Sequence, residues 1–495
     1  MTYMDEIENS FPNWLDDIND EYMFSAQNLL QYLALRSIDI REIQSELISY
    51  GISSMGTSAG YVHENISRSL GLLRLIRGKT IDGDLNNPGS GFKDSNELLD
   101  SRSTSLFRTN GSGTGAKIMV TLPDEVVDNT TMMIQFIGAG MDLARINLSH
   151  GDYNLWDRML DRIIGAGNSL SHDVTVFMDL PGPKIRVENI FITNGNADGY
   201  DQVGSVSLLK EECLELMKET DSHRLQDPGR FENKVVTVML PQILDDLKVG
   251  HPIFFDDGAI EGKVISKSSM GAVIEIVKVT KKKLRTGKGI NLPDTHLSLP
   301  SLTDNDIELL PYACKNADII GYSFVRTPGD VQLLYAKLSN LGDKDTGVVF
   351  KIETREAFEN LPGILVEAMK RRKIGVMIAR GDLAVEVGFE RISEVKDQIM
   401  SICEAAHIPV IWATQVLENM AKKGLATRAE ISDVVLSGKA ECVMLNKGPY
   451  MTDTIGVLKN ILARMAEHYD KNKSTLRALE VAKNSIRSMQ NDRSI

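Results

Sequence analysis

The stretch that decides the fold is "GVVFKIET", residues 347–354. Its first four residues favour a strand buried on both faces, yet Lys351 and Glu353 follow two positions apart. Alternate residues of a strand project to the same side, so both charges leave the same face of the sheet. A buried strand that ends this way predicts either a salt bridge or a site at the end of the strand.

Seven other short apolar runs alternate with stretches of helical patterning. They are "KIMVTL" (117–122), "MDLARINL" (141–148), "TVFMDL" (175–180), "ADIIGYSFV" (317–325), "IGVMIAR" (374–380), "IPVIWAT" (408–414) and "AECVMLN" (440–446). Buried strands that alternate with helices are typical of parallel βα units, and eight such units close a TIM barrel. The sequence therefore predicts an α/β fold built on a TIM (β/α)8 barrel.

Two regions depart from this rhythm. Residues 188–287 carry short alternating runs with one helical insert, "SLLKEECLELMKE" (207–219), and predict a small β-rich lid domain inserted after the third strand. Residues 24–78 have apolar positions at helical spacing around a Gly/Ser-rich turn, which predicts a helical hairpin. The predicted division is a helical segment (1–78), a flexible linker rich in Gly, Ser, Asn and Asp (79–115), the barrel (116–187 and 288–470), the lid (188–287) and a tail (471–495).

Composition narrows the class of protein. The formal net charge of -13 disfavours nucleic acid or an anionic membrane as the main partner. The four cysteines form no CxxC pair, which fits a reducing compartment, and the acidic N-terminus has no signal-peptide pattern. No apolar run approaches the length that spans a bilayer. We therefore expect a cytoplasmic protein, and a homo-oligomeric state is left open.

Polar residues gather where the predicted strands end. They are Arg145, Asn147, Asp179, Ser323, Lys351, Glu353, Arg380, Asp382, Thr414, Asn446 and Lys447. In a barrel these ends converge on one mouth, where barrel chemistry takes place. The alternative is that these residues only solvate loops, and the agreement among several strand ends speaks against it.

Glu353 and Asp382 end adjacent predicted strands. Two carboxylates at one mouth can share Mg²⁺, whose other ligands are substrate oxygens and water. The alternative, equally weighted on these residues alone, pairs Glu353 with Lys351 and Asp382 with Arg380.

Several basic residues are predicted to lie at the same mouth, namely Arg145, Lys184, Arg186, Lys351 and Arg380. A cluster of bases with two acids and no evident nucleophile is typical of phosphoryl transfer, where catalysis is mostly positioning and charge neutralisation. Free N–H groups around Gly381 and Asp382 can hold a carboxylate or phosphate if a helix begins there. The Thr414 hydroxyl can orient a proton transfer or make a structural hydrogen bond, and His150 can touch a ligand or cap a helix. Glu386 and Met444 are interpreted as structural.

Eight segments together resemble the pyruvate kinase family in order and spacing over roughly residues 117–445. They are "GMDLARINLSHGDY", "MDLPGPKIR", "FFDDG", "KGINLP", "SFVRTPGDV", "KIET", "GVMIARGDLAVEV" and "VIWATQVLENM" followed by "TRAEISD". The resemblance implies a TIM barrel with a β-domain lid, and transfer of the phosphoryl group of phosphoenolpyruvate to ADP. The implied cofactor is Mg²⁺, with Mn²⁺ as an alternative.

The resemblance also implies roles for individual residues. Glu353 and Asp382 would hold the metal, and Lys351 would neutralise the moving phosphoryl group. Arg145 and Ser323 belong to the substrate site, as does the backbone at Arg380, Gly381 and Asp382, while Thr414 would lie beside the carbon that is protonated. Arg186, His150 and Lys447 would contact the nucleotide. Asn147, Ser149 and Asp179 match the monovalent-cation site of the family.

Three departures from the family pattern matter. Lys184 stands where many members have Glu, and members with Lys resemble the group that works without K⁺, so K⁺ is expected not to be required. The first strand ends in "TLPDE" (121–125) instead of Thr-x-Gly-Pro, and the eighth ends in "MLNKGPY" (444–450) instead of Ser-Gly-Glu-Thr. The regulatory C-terminal domain of the family is expected to be absent, and the N-terminal helical segment is expected to have no counterpart in the ordinary enzyme. This combination resembles a divergent bacterial branch of the family.

Two other functions are compatible with such a barrel. One is a metal-dependent lyase or aldolase that acts on pyruvate-type enolates, and the other is a non-catalytic sensor of phosphoenolpyruvate. The inserted lid and Lys351 favour the kinase over the lyase. The retained set of Lys351, Glu353 and Asp382 argues against the sensor.

Overall fold

A computed structural model describes residues 4, 6–8, 12–52, 55–79, 91–108, 115–193, 200–218, 234–466, 469–470 and 473–474. Eight parallel strands close into a barrel, as predicted, and the first strand pairs with the last. With strands numbered in chain order, they are β1 Lys117–Thr121, β2 Leu143–Asn147, β3 Thr175–Asp179, β14 Ile319–Tyr322, β15 Gly347–Ile352, β16 Ile374–Ala379, β17 Val410–Ala413 and β18 Cys442–Leu445. Because the strands are parallel and buried, their carboxyl ends form one mouth.

Helices surround the barrel. They are α5 Thr130–Ala139, α6 Tyr153–Leu170, α8 Asp304–Asn316, α9 Pro328–Asn340, α10 Arg355–Glu359, α11 Leu361–Ala368, α12 Arg380–Val387, α13 Ile392–Ala405, α14 Glu418–Lys423, α15 Arg428–Ser437 and α16 Met451–Met465. Capping boxes begin α8, α9 and α15, so a Thr side chain and an acid three residues later bond the free N–H groups of the first turn. Among the described residues, no helix has both the length and the apolarity needed to cross a membrane.

A β-rich region separates β3 from α8. Its strands are β4 Val187–Thr193, β5 Tyr200–Val203, β6 Ser205–Ser207, β7 Cys213–Met217, β8 Lys234–Val238, β9 Pro252–Phe255, β10 Ile260–Lys267, β11 Gly271–Val279, β12 Lys283–Arg285 and β13 Ile290–Asn291, with the short helix α7 Ile243–Asp246. Eight of these strands form one sheet, and β6 pairs with β12.

The predicted helical insert "SLLKEECLELMKE" was wrong. Its central residues form β7, which pairs with β8 on one side and β11 on the other. Leu214 and Leu216 alternate into the core of the sheet, and that burial outweighs the helix propensity of Leu, Glu and Lys.

The N-terminal region is helical, but it is not one hairpin. Its helices are α1 Met23–Arg36, α2 Arg41–Ser49, α3 Val62–Ile76 and α4 Phe92–Phe107, with 3-10 turns at Pro12–Leu15, Asp20–Tyr22 and Ala59–Tyr61. Helix α1 ends at Arg36 and α2 begins at Arg41. Between them, Asp39 accepts a hydrogen bond from the N–H of Arg41 (3.1 Å). A side chain that bonds a nearby N–H favours the start of a new helix.

Helix α4 falls within residues 79–115, which we predicted to be a flexible linker. Its last turn closes the floor of the barrel, opposite the mouth: Leu106 and Phe107 are buried among side chains from the barrel interior. A Cβ on Gly347 or Gly375 would lie 2.7 Å from a methyl carbon of Leu106, so both strands carry glycine where this side chain enters. The apolar contacts of Leu106 and Phe107 therefore explain a helix where the local composition indicated a linker. The rest of the predicted linker at 80–90 and 109–114 lies outside the described residues, as do 471–472 and 475–495 of the predicted tail.

A buried polar cluster attaches α1 and α4 to the barrel. The ring nitrogens of His407 lie 3.0 Å from the hydroxyls of Ser25 and Ser95. Arg102 donates to the hydroxyl of Ser25 (2.8 Å) and to the carbonyl of His407 (3.1 Å). The extension and the barrel are thus joined by hydrogen bonds as well as by apolar contact.

Candidate active site

A cavity of about 180 Å³ opens at the carboxyl ends of the barrel strands. Its walls include eleven of the predicted residues: Arg145, Asn147, Ser149, Asp179, Lys184, Arg186, Ser323, Lys351, Glu353, Asp382 and Thr414. The other four predicted site residues are not part of its walls, namely His150, Arg380, Gly381 and Lys447. The structure therefore brings most of the predicted residues to one place.

Lys351 is at the centre of the cavity's charge network. Its Nζ donates to the hydroxyl of Ser323 (2.7 Å) and to Asp179 (3.2 Å), and it lies 3.3 Å from Glu353 Oε1. Burial opposes the charge on this ammonium group, but Asp179 and Glu353 outweigh it and raise the pKa of Lys351. The Lys351 ammonium group therefore stays positively charged, and its hydrogen bonds fix its position at the mouth of the barrel.

Asp179 is the buried counter-ion of this network. Arg145 donates to its Oδ2 through both Nε (3.0 Å) and Nη2. Burial alone would raise the pKa of this carboxyl, but the charges of Lys351 and Arg145 lower it. Asp179 Oδ1, although 3.2 Å from Lys351 Nζ, receives no hydrogen bond among the described residues. One buried acceptor therefore remains for a ligand.

Glu353 follows β15 and Asp382 lies in the first turn of α12, after β16, and both line the cavity. Burial raises the pKa of Glu353, and the negative charges of Asp382 and Asp179 add to this rise, which the charge of Lys351 offsets only in part. The N–H of Phe324 donates to Glu353 Oε2 (2.7 Å), and Asp382 Oδ2 lies 3.0 Å from Lys184 Nζ. Of the two alternative pairings, Lys351 with Glu353 is present, whereas Asp382 pairs with Lys184 instead of Arg380.

The donor set fits a divalent ion that is completed by substrate. In the described part of the chain, no group of three or more His, Cys, Asp or Glu residues can hold a metal by itself. Two mutually repelling carboxylates are the usual protein share of a Mg²⁺ site, because substrate oxygens and water supply the other ligands. Glu353 and Asp382 meet that description.

A tight turn after β3 brings Lys184 to Asp382. Gly182 has a φ of +66°, and a Cβ at this position would lie 2.8 Å from the Cβ of Ser323. The N–H of Gly182 donates to the buried carboxylate of Asp306 (3.0 Å). Glycine is required here by both conformation and space, and the turn directs the following residues into the cavity.

The residues expected at a monovalent-cation site share the cavity wall. Asn147 Oδ1 accepts the N–H of Ser149 (3.1 Å), and Asp179 is engaged as described above. The Lys184 ammonium is hydrogen-bonded to Asp382 and not to these three residues. It therefore adds a positive charge to the same cavity through a different partner.

The guanidinium of Arg380 is hydrogen-bonded through all three of its nitrogens at the rim. It donates to the carbonyls of Ala413 (3.0 Å) and Thr414 and to both oxygens of Asp433 (2.7 and 2.8 Å). The N–H of Gly381 donates to the hydroxyl of Thr414 (2.8 Å), so the structural hydrogen bond weighed for this hydroxyl is present. Asp433 belongs to "TRAEISD", but the sequence offered no way to see that it reaches Arg380.

A second group of charges lies at the ends of β1 and β18. Lys447 Nζ lies 2.8 Å from Asp124 Oδ1, so the two strand ends that depart from the family pattern contact each other. Burial lowers the pKa of His150, and the neighbouring cations Lys447 and Arg186 lower it further. His150 does not cap α6, because Asp152 does so by accepting the N–H of Leu155 (2.9 Å).

Glu386, which was interpreted as structural, joins α12 to the β-rich region. It is buried on α12, and its Oε1 accepts a hydrogen bond from Asn291 Nδ2 (3.2 Å) on the last strand of the β-rich region. Burial raises the pKa of Glu386 to about 7, with a further contribution from the charge of Asp382. Its position four residues after Asp382 places both carboxylates on one face of α12, a signal that the sequence carries.

The match to a family model described as the pyruvate kinase barrel domain extends over residues 114–454. A pyruvate kinase from Staphylococcus saprophyticus is 31% identical over 353 residues, which are 70% of this chain and 56% of that protein. One from Staphylococcus aureus (strain USA300) is 31% identical over 357 residues, with the same coverage. This chain thus spans just over half the length of the curated relatives it matches.

A solved structure agrees with the sequence relatives. The crystal structure of a pyruvate kinase from Cryptosporidium parvum is similar with a TM-score of 0.61 and 27% sequence identity, over 74% of this chain and 70% of that chain. Barrel, strand-end charges and relatives converge on one conclusion: this chain belongs to the pyruvate kinase family.

Proposed function

We propose that this chain transfers the phosphoryl group of phosphoenolpyruvate to ADP, giving pyruvate and ATP, with Mg²⁺ as cofactor. The observation that carries the proposal is the placement of Lys351, a buried cation held by Ser323, Asp179 and Glu353 at the mouth of the barrel. The relatives that share this barrel are pyruvate kinases by name.

Lys351 and Arg145 act on the phosphoryl group. In phosphoryl transfer, negative charge is spread over the oxygens of the moving group, and fixed cations stabilise it without reorganising. Lys351 is fixed by three partners, and Arg145 by Asp179 and by the hydroxyl of Thr121 (3.0 Å). Both cations therefore enter the reaction already oriented.

Glu353 and Asp382 would hold Mg²⁺, with Mn²⁺ able to replace it. When bound, the ion neutralises substrate oxygens and aligns phosphoenolpyruvate with the phosphate that accepts the phosphoryl group. The start of α12 is our proposed position for the substrate carboxylate. The N–H of Gly381 donates to the Thr414 hydroxyl and so links the proposed carboxylate site to that side chain.

We propose activity without K⁺. Lys184 brings a positive charge into the cavity that Asn147, Ser149 and Asp179 also line. A tethered ammonium group at 3.0 Å from Asp382 supplies part of the field that a bound cation would supply.

The nucleotide is proposed to lie toward Arg186, His150 and Lys447, beneath the β-rich region acting as a lid. Asn291 and Glu386 join that region to α12. The four cysteines form no disulfide bond, in keeping with the expected cytoplasmic location. Nucleic acid and membranes are not proposed as partners, and assembly with further copies remains a hypothesis.

One assay tests this proposal against the lyase and the sensor. Pyruvate formation from phosphoenolpyruvate is measured with and without ADP and with and without Mg²⁺. Turnover only when both are present supports the kinase. Turnover of an aldol substrate without nucleotide indicates the lyase, and binding of phosphoenolpyruvate without any turnover indicates the sensor.

A further inference from the structure

Asp433 has no role in the reaction outlined above, but it contacts Arg380, whose backbone belongs to the proposed substrate site. It lies on α15, outside the barrel strands, and its carboxylate receives two hydrogen bonds from Arg380 Nη1 (2.7 and 2.8 Å). The Arg380 side chain is 13% exposed and that of Asp433 is 30% exposed. An ion pair this well shielded and doubly hydrogen-bonded fixes the plane of the guanidinium.

The other nitrogens of Arg380 hold the end of β17. Nε donates to the carbonyl of Ala413 (3.0 Å) and Nη2 to the carbonyl of Thr414. Each guanidinium nitrogen is thus hydrogen-bonded to protein, and four such bonds hold the side chain in place. Arg380 therefore acts as a bracket between α15 and the turn after β17.

The turn that this bracket holds is strained. Thr414 has a φ of 64° and Gln415 a φ of 55°, a left-handed conformation that costs a β-branched residue such as Thr more than most. Such a conformation persists only when its surroundings over-determine it. Here the two carbonyl bonds from Arg380 and the bond from Gly381 N to Thr414 Oγ1 (2.8 Å) do so.

Trp412 reinforces the bracket from below. The guanidinium carbon of Arg380 lies 4.9 Å from the centre of the indole ring, and the ammonium of buried Lys396 lies 4.7 Å from it. The indole N–H has no hydrogen-bond partner among the described residues, so cation–π contacts and packing orient the ring. Loss of the Asp433 carboxylate would leave Arg380 held by carbonyls and by the ring alone.

We propose that Asp433 is a positioning residue for Thr414: through Arg380 it keeps the Thr414 hydroxyl oriented for proton transfer at the methyl carbon of pyruvate. The inference rests on the proposed function, which places Thr414 beside that carbon. In the forward reaction, departure of the phosphoryl group leaves the enolate of pyruvate. Its methylene carbon forms a bond to a proton from solvent while the enolate oxygen becomes the ketone carbonyl, which gives pyruvate. In reverse, pyruvate loses a methyl proton, so its methyl hydrogens exchange with solvent deuterium.

The test compares Asp433→Asn with the wild type and with Ser432→Ala, an exposed neighbour on the same helix. Exchange of pyruvate methyl hydrogens in D₂O, followed by NMR, should fall at least about tenfold in Asp433→Asn, because misorienting a group costs about 100-fold per ångström. The KM for phosphoenolpyruvate should stay within about twofold of wild type, since ground-state binding is not changed. Ser432→Ala should match the wild type in both.

A second measurement does not depend on activity. In a protein with ¹³C-labelled threonine methyl groups, the Thr414 signal, identified by its loss in Thr414→Ser, should shift in both Asp433→Asn and Arg380→Lys. An unshifted Thr414 signal in Asp433→Asn overturns the proposal, and so does exchange at the wild-type rate. A wild-type protein without turnover or exchange refutes the proposed function instead, while the NMR shift still decides whether the bracket exists.

Discussion

Lys351 and Glu353 leave the same face of β15, and their charged groups lie 3.3 Å apart at the mouth of the barrel. Each also has a partner of its own, because Lys351 bonds Ser323 and Glu353 accepts the N–H of Phe324. The two side chains are therefore a salt bridge and a site at once. A substrate that brings a phosphoryl group and Mg²⁺ would give each charge a stronger partner.

Replacement of Lys351 by Met should reduce phosphoryl transfer by about 1,000-fold or more, as loss of a cation at a transferring phosphoryl group does. The variant should fold, because Asp179 retains its ion pair with Arg145. Glu353, which loses its cation, can become neutral by taking up a proton. Steady-state rates and circular dichroism check both statements, with Lys337→Met on α9 as the control. A variant that retains a tenth of the wild-type rate would refute the assigned role.

Wild-type activity should be the same within about twofold in KCl and in tetramethylammonium chloride of equal ionic strength. Lys184→Glu places a second carboxylate beside Asp382, and like charges at this distance cannot both ionise without a cation. Its rate should fall by about 100-fold without K⁺ and recover in part when K⁺ is added. An absolute K⁺ requirement in the wild type would contradict the proposal.

Asp382→Asn should weaken divalent-ion binding in the presence of phosphoenolpyruvate by at least about tenfold, equivalent to 1.4 kcal/mol. Electron paramagnetic resonance of free Mn²⁺ measures this binding without any turnover. Asp397→Asn changes an acid whose side chain is 71% exposed on α13 and should bind as the wild type does. Equal affinity in Asp382→Asn and wild type would remove Asp382 from the metal site.

The pair between Lys447 and Asp124 predicts opposite effects on nucleotide affinity. Lys447→Ala should raise the KM for ADP by about tenfold if Lys447 contacts a phosphate. Asp124→Asn should lower that KM by about two- to fivefold, because a pair exposed by 40% and 57% competes only weakly for the ammonium. Initial rates at varied ADP give both values, and a change of the same sign in the two variants would show that the pair has only a structural role.

Glu386 should make the protein less stable as the pH rises. Its pKa is about 7 in the folded protein against 4.5 as the ordinary value, so the folded state binds the proton more tightly. Stability from this group is therefore fully present below about pH 4.5 and is lost as the pH rises through 7, by about 3 kcal/mol in total. Urea unfolding between pH 5 and 8 should show this slope in the wild type and in the surface control Glu394→Gln, and a flatter profile in Glu386→Gln.

The barrel was predictable because doubly buried strands leave a strong pattern. A run such as residues 374–380 has no polar face, and eight such runs with polar ends have few architectures open to them. The site followed from the same pattern, since strand ends that converge in space are marked in sequence by charge. Arg145, Lys351, Glu353 and Asp382 were predicted in this way, and all four line the cavity.

The errors have tertiary causes. Residues 207–219 have the composition of a helix, and only the neighbouring strands of the sheet make β7 favourable. The pairing of Asp382 with Lys184 depends on a turn at Gly182, and that of Arg380 with Asp433 joins positions 53 residues apart. Local sequence carries no information on such distances. The position of Glu386 on the same helix face as Asp382 could have been predicted, because the two residues are four positions apart.

The side chains that close the floor of the barrel affect where the protein can be truncated. The match to the family begins at residue 114, but Leu106 and Phe107 fill the space beneath the strands that follow. A fragment cut at the homology boundary would expose an apolar hole the size of two large side chains, and at several kcal/mol per lost side chain it should aggregate. The segment that matches the family is therefore expected to be shorter than the segment that folds stably, which includes α4.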